Sequence, residues 1–207
     1  ASSVESLLFA AGYQLSPGNI PLSNTAFWVN NAERKTNLLE YFGDITYRNA
    51  YIFAHGTATS FGGKGADGKN DPSTLITDTK LNKYVKNYLN VDKPANLHPY
   101  RFVFMDGCEL GKGKICEVFG IPAKTTTVAY FATSGVKSRA FLGFKKRTRF
   151  NAAQWDYRAS TLAAFYQDWL NFNTLGTCIS NAVSRTQQPL DPSWVIYGAK
   201  DMKVNSP

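Results

Sequence analysis

The run Phe102-Val-Phe-Met105 constrains this chain more than any other feature. It is apolar, rich in β-formers, and cut short by Asp106-Gly107, with Cys108 immediately after. A short apolar run closed by a turn signal predicts a fully buried strand. Open parallel sheets carry their active sites at the C-terminal ends of their strands. A thiol just past such a strand therefore stands where chemistry is usually done. A second run, Tyr51-Ile-Phe-Ala54, delivers His55 and Gly56 to its own C-terminal end. If both strands belong to one parallel sheet, His55 and Cys108 leave it at the same edge.

The rest of the chain fits strands alternating with helices. A strand is expected over 48–54, a helix over 78–90 and a strand from 101 into the Cys108 turn. In the helix, Leu81, Tyr84, Val85, Tyr88 and Leu89 recur at helical spacing, and Thr77 or Asp78 can cap it. Strand, loop, helix and strand make a βαβ unit, whose strands run parallel. Downstream, Thr125-Thr-Thr127 can start a helix through 128–133, with Gly135 at its C′ position. A strand over 136–144, a long helix over 151–173, a helix over 175–185 and a last strand over 192–198 follow. Before residue 48, a strand at 26–30 and a helix at 33–42 are expected. Residues 1–45 read as a peripheral lead-in and 46–200 as the core of a single domain spanning 1–207. The fold class is therefore α/β, with a mostly parallel central sheet.

The loop 56–73 carries Gly62, Gly63, Gly65 and Gly68 between Thr and Ser residues. It is expected to bury little, to move, and to border the His55 site. It holds no Gly-x-x-x-x-Gly-Lys-Ser/Thr pattern, so a phosphate cradle is not supported. Asp67, Asn70 and Asp71 offer a weak calcium site; an exposed polar turn is the plainer reading. No cofactor or metal is otherwise expected. Cys108 and Cys116 lack the spacing of a zinc knuckle, and His55 and His98 do not complete one.

With three cysteines, the chain lacks the even count of a disulfide framework. Cys178 falls among Ile179 and Ala182 and reads as a core residue. No apolar run approaches the roughly 20 residues of a membrane helix. The net charge of +8 raises the question of nucleic acid. Yet the cations are scattered, and the one dense cluster, Lys145-Lys-Arg-Thr-Arg149, is short. It reads as an exposed loop or strand end. Neither a nucleic acid nor a membrane is expected as partner.

A cysteine becomes a strong nucleophile when a histidine takes its proton. Both histidines here precede Cys108. That order excludes an α/β-hydrolase, which needs its histidine after the nucleophile and a Gly-x-Ser/Cys-x-Gly elbow. It also excludes papain-like enzymes. A histidine about 50 residues ahead of the cysteine is the caspase spacing.

Ile52-Phe-Ala-His-Gly56 followed by Val103-Phe-Met-Asp-Gly-Cys108 resembles the two signature blocks of the caspase-like cysteine peptidases. That superfamily includes metacaspases, clostripain-like enzymes and CHAT domains. Cys108-Glu-Leu-Gly111 is similar to the CHAT block Ala-Cys-Glu-Thr-Gly, and Trp194-Val-Ile-Tyr-Gly198 to the family's closing strand. The resemblance covers about residues 48–198 and departs at Gly107, where the family often has Ala, a change expected to be mild. It implies a three-layer fold with helices on both faces of the sheet. It implies Cys108 as nucleophile, His55 as general acid and base, and the N–H groups of Gly56 and Cys108 as oxyanion donors. Asp106, two residues before the cysteine, would line the S1 pocket and select Arg or Lys at P1. The segments 112–114 and 145–149 then become possible self-cleavage sites.

Plainer readings stand beside these. Asp106 can simply cap the turn that follows it, and Glu109 can face solvent or support the site from behind. Three functions remain open. The first is a cysteine endopeptidase cleaving a protein or peptide substrate after basic residues. The second is a catalytically inactive caspase-like interaction module, and the third a basic nucleic-acid-binding domain.

Overall fold

The computed structural model describes residues 38–39, 42, 49–63, 71–89, 100–147, 152–186 and 194–204. The expected strand at 26–30, most of the helix at 33–42, and the linker 93–99 with His98 lie outside the described residues. Leu38, Leu39 and Phe42 are helical and buried.

A five-stranded sheet organises the chain. Its strands are β1 (Asn49–Phe53), β4 (Phe102–Asp106), β6 (Ala140–Phe144), β7 (Trp194–Ala199) and β5 (Thr125–Thr126), in that spatial order. β1, β4 and β6 run parallel, β7 runs antiparallel to β6, and β5 pairs parallel with β7. The helices are α1 (Asp78–Leu89), α2 (Val128–Thr133), α3 (Ala152–Leu170) and α4 (Leu175–Thr186). The fold is α/β, with a mostly parallel sheet flanked by helices.

β4 shows why four of its five residues, Phe102 to Met105, are apolar. All five of its residues are buried. Successive side chains of a strand point to opposite faces. Val103 and Met105 accordingly enter a cluster with Leu81 and Val85 of α1 and with Ile115 and Phe119. Phe102 and Phe104 enter a second cluster with Phe165, Tyr166 and Trp169 of α3 and with Leu175 and Cys178 of α4. A strand covered on both sides has no polar face to show. Burying each such side chain contributes about 1.5–3 kcal/mol.

The direction of β7 follows from the helices before it. β6 ends at the Cys108 end of the sheet, where Phe144 pairs with Trp194. α3 returns the chain to the opposite end. There the first N–H groups of α4, at Leu175 and Gly176, donate to the carbonyls of Met202 and Lys200. Those acceptors satisfy a helix start that would otherwise be orphaned. α4 then climbs back, so β7 begins where β6 stopped. On α3, the buried Asp168 binds Asn181 at 2.8 Å and Arg185 at 2.7 Å, tying the two helices together.

Most expected elements form, with adjusted ends. Thr127 caps α2, its hydroxyl accepting from the Tyr130 N–H, and Gly135 takes the left-handed conformation at φ 65°. Thr125 and Thr126 join the sheet instead of opening the helix. The strand expected over 136–144 is confined to β6.

The loop 56–73 needs a larger correction. Within it β2 (Ser60–Phe61) pairs antiparallel with β3 (Ile76–Thr77), which follows the loop, and a 3-10 turn over Pro72–Thr74 spans its end. Phe61 and Ile76 are fully buried, so the loop does contribute to the core. Asp71 caps the 3-10 turn, accepting from the N–H and hydroxyl of Ser73. Asp67 and Asn70 lie outside the described residues. Among the described residues, no helix is long and apolar enough to cross a membrane.

Candidate active site

The site begins with a register. β1 and β4 are neighbours, and the last rung of their ladder pairs Phe53 with Asp106. The Ala54 N–H adds one more bond, to the Asp106 carbonyl at 3.3 Å. His55 lies two residues beyond Phe53, and Cys108 two beyond Asp106. Both therefore leave neighbouring parallel strands at the same height. His55 is exposed and Cys108 half-buried, so neither is sealed in the interior.

Two glycines let the strand ends touch. A methyl group on Gly107 would strike the Ala54 carbonyl oxygen and lie 2.6 Å from Leu110 Cδ1. One on Gly56 would strike Leu110 Cγ and lie 2.6 Å from the Cys108 carbonyl oxygen. The His55-Gly56 and Gly107-Cys108 segments are thus in direct backbone contact. In this chain the departure to Gly107 is not mild, because alanine does not fit there.

His55 is held by its backbone. Its carbonyl accepts from the Gly62 N–H at 2.8 Å, and the Thr57 N–H donates to the Ser60 carbonyl at 2.8 Å. These two bonds flank the bridge between Gly56 and Phe61. In an antiparallel pair of that kind the two flanked N–H groups point outward. The Gly56 N–H is thereby directed away from Phe61.

The turn after Cys108 is fixed to the far side of the sheet. The Glu109 N–H donates to the Lys146 carbonyl at 3.1 Å, and the Gly111 N–H to the Phe144 carbonyl at 2.8 Å. The Tyr197 hydroxyl donates to the Gly111 carbonyl at 2.8 Å. Glu109 sits at φ 56°, a left-handed conformation uncommon for a residue other than glycine. Its carboxylate meets Lys112 at 3.3 Å and Arg147 at 3.8 Å. Both cations are largely exposed, so these pairs are weak.

Asp106 is 0% exposed, and its Oδ2 accepts from the Tyr51 hydroxyl at 2.9 Å. Tyr51 pairs directly with Phe104, so it shares a face with Asp106 and lies diagonal to it. Tyr51 and Tyr197 were not legible as site residues from the sequence. Only the register brings Tyr51 to Asp106, and only the direction of β7 brings Tyr197 to Gly111.

The other cysteines are chemically quiet. Burial first, then the Glu117 carboxylate, pushes the Cys116 thiol from the ordinary 9.0 up to about 12. Burial first, then Asp168, does the same to Cys178, again to about 12. Unfolding returns both to ordinary titration. Stability is therefore full below about pH 9.0 and falls as pH rises toward about 12. Iodoacetamide at mildly alkaline pH is expected to alkylate Cys108 in the native protein and to spare Cys116 and Cys178. Peptide mapping checks this, with all three alkylated after denaturation.

Compared with known proteins, the chain matches no protein-family model and no curated sequence.

Proposed function

We propose that the chain is a cysteine endopeptidase of caspase-like type, working through a His55–Cys108 dyad and cleaving after Arg or Lys. One observation carries this reading. His55 and Cys108 each follow the last paired rung of two adjacent parallel strands by the same number of residues. On this reading a base and a nucleophile separated in sequence share one sheet edge.

In the proposed reaction, His55 takes the Cys108 thiol proton and the sulfur attacks the scissile carbonyl carbon. The resulting oxyanion accepts hydrogen bonds from the N–H groups of Gly56 and Cys108. The His55 imidazolium then protonates the departing amine as the C–N bond breaks, leaving a thioester on Cys108. His55 next draws a proton from water, whose oxygen attacks the thioester. The acid product leaves, and the proton returns to sulfur.

The P1 preference rests on Asp106, a carboxylate two residues before the nucleophile that would pair with a guanidinium or ammonium. In the structure it is buried against Tyr51, so a basic P1 side chain must uncover it. That burial favours a second reading, a fold kept as a non-catalytic interaction module. A peptidyl-arginyl chloromethyl ketone separates the two. The peptidase reading expects a thioether on Cys108, found by mass spectrometry, with the Asp analogue inert. An unlabelled Cys108 in a protein that melts normally overturns it.

A further inference from the structure

The fold gathers two basic segments that the sequence keeps apart. Lys112 and Lys114 lie in the turn after Cys108; Lys145, Lys146 and Arg147 follow β6. The hydrogen bonds from Glu109 to Lys146 and from Gly111 to Phe144 bring the two segments side by side. Lys145 Nζ stands 6.0 Å over the ring of Tyr197, which in turn holds Gly111. All five cations are exposed; Glu109 lies between the two segments, and Glu117 follows one turn after Lys114. Crowding like charges does not help folding, whereas a patch of one sign raises the local concentration of the opposite one.

We infer that this patch beside Cys108 is a docking surface for acidic residues flanking the scissile bond of a polypeptide substrate. The inference rests on the peptidase reading above, and it adds a second recognition element to it. A preferred substrate then carries a basic P1 residue for Asp106 and glutamates or aspartates nearby for the patch. Tyr197 is the one aromatic ring described against the cations, and it is half-buried under Lys145. Such a surface offers charge but little stacking platform, which favours an acidic peptide over a single-stranded nucleic acid.

The test measures binding rather than turnover, so it survives failure of the catalytic reading. The 207-residue Cys108→Ala protein is titrated into fluorescent Arg-containing peptides flanked by glutamates or by glutamines, and anisotropy is recorded. At about 0.1 M salt the acidic peptide is expected to bind about tenfold tighter, and at about 1 M the difference is expected to vanish as the screening length falls from about 10 Å to about 3 Å. The exposed-site variants K145Q/K146Q/R147Q and K112Q/K114Q are each expected to lose most of the preference with unchanged melting temperature. Equal binding of the two peptides, or a preference that survives both variants, overturns the inference. So does tighter binding of a single-stranded oligonucleotide of matched charge. A peptide preference without turnover by wild type counts against the peptidase reading alone.

Discussion

Replacing Cys108 with alanine is expected to lower kcat/KM on an Arg-P1 peptide by more than about 10⁴-fold, and His55→Ala by about 10²–10⁴-fold. The two losses have different origins. In the proposed mechanism no bond to the substrate forms without Cys108, and only binding and the proposed oxyanion donors remain. In the same mechanism, loss of His55 leaves the sulfur to lose its proton unaided and the amine to depart unprotonated. Residues that act as one unit are strongly non-additive, so the double variant is expected to match Cys108→Ala. Both changes are expected to leave the fold intact. His55 is exposed and Cys108 half-buried, and alanine opens no large cavity at either. Fluorogenic turnover checks the losses, and melting temperatures check the fold. Activity retained by Cys108→Ala would place the nucleophile elsewhere. Neither other cysteine is suited to the task, since burial keeps both protonated.

The strands and helices were legible where one physical signal dominated. The helical spacing of Leu81 and Val85 marked α1, and the apolar runs ending at Ala54 and Met105 marked β1 and β4. The register between those strands was not legible. β4, buried on both faces, is apolar from Phe102 to Met105, so alternation no longer tells which residue faces which. The offset that aligns His55 with Cys108 is therefore a finding of the structure, as is the Tyr51–Asp106 bond. The glycine-rich loop misled for the opposite reason. Its composition signals looseness, but Phe61 and Ile76 meet only through a two-residue strand pair distant in sequence. The left-handed Glu109 also gave no warning, because glycine or asparagine is the usual mark of that conformation.

Gly107→Ala and Gly56→Ala are each expected to destabilise the fold by about 1–3 kcal/mol and to lower kcat/KM by about 10²-fold. At Gly107 the added methyl meets the Ala54 carbonyl, which is backbone and cannot rotate away. At Gly56 it meets the Cys108 carbonyl from the other side, with Leu110 common to both. Each substitution therefore wedges the same pair of strand ends apart. Once one methyl has separated them, the second has less to displace. The double variant is accordingly expected to cost less than the sum, by about 0.5 kcal/mol or more. Urea unfolding gives the stabilities and initial rates the activities. Gly135→Ala is the control: it has open space around its Cβ but a φ of 65°. It is expected to lose about 1 kcal/mol of stability and no activity, because it strains a helix end without touching the sheet edge. Equal activity losses at Gly135 and Gly107 would mean that catalysis follows general stability. A loss confined to Gly56 and Gly107 ties it to the contact between the two strand ends.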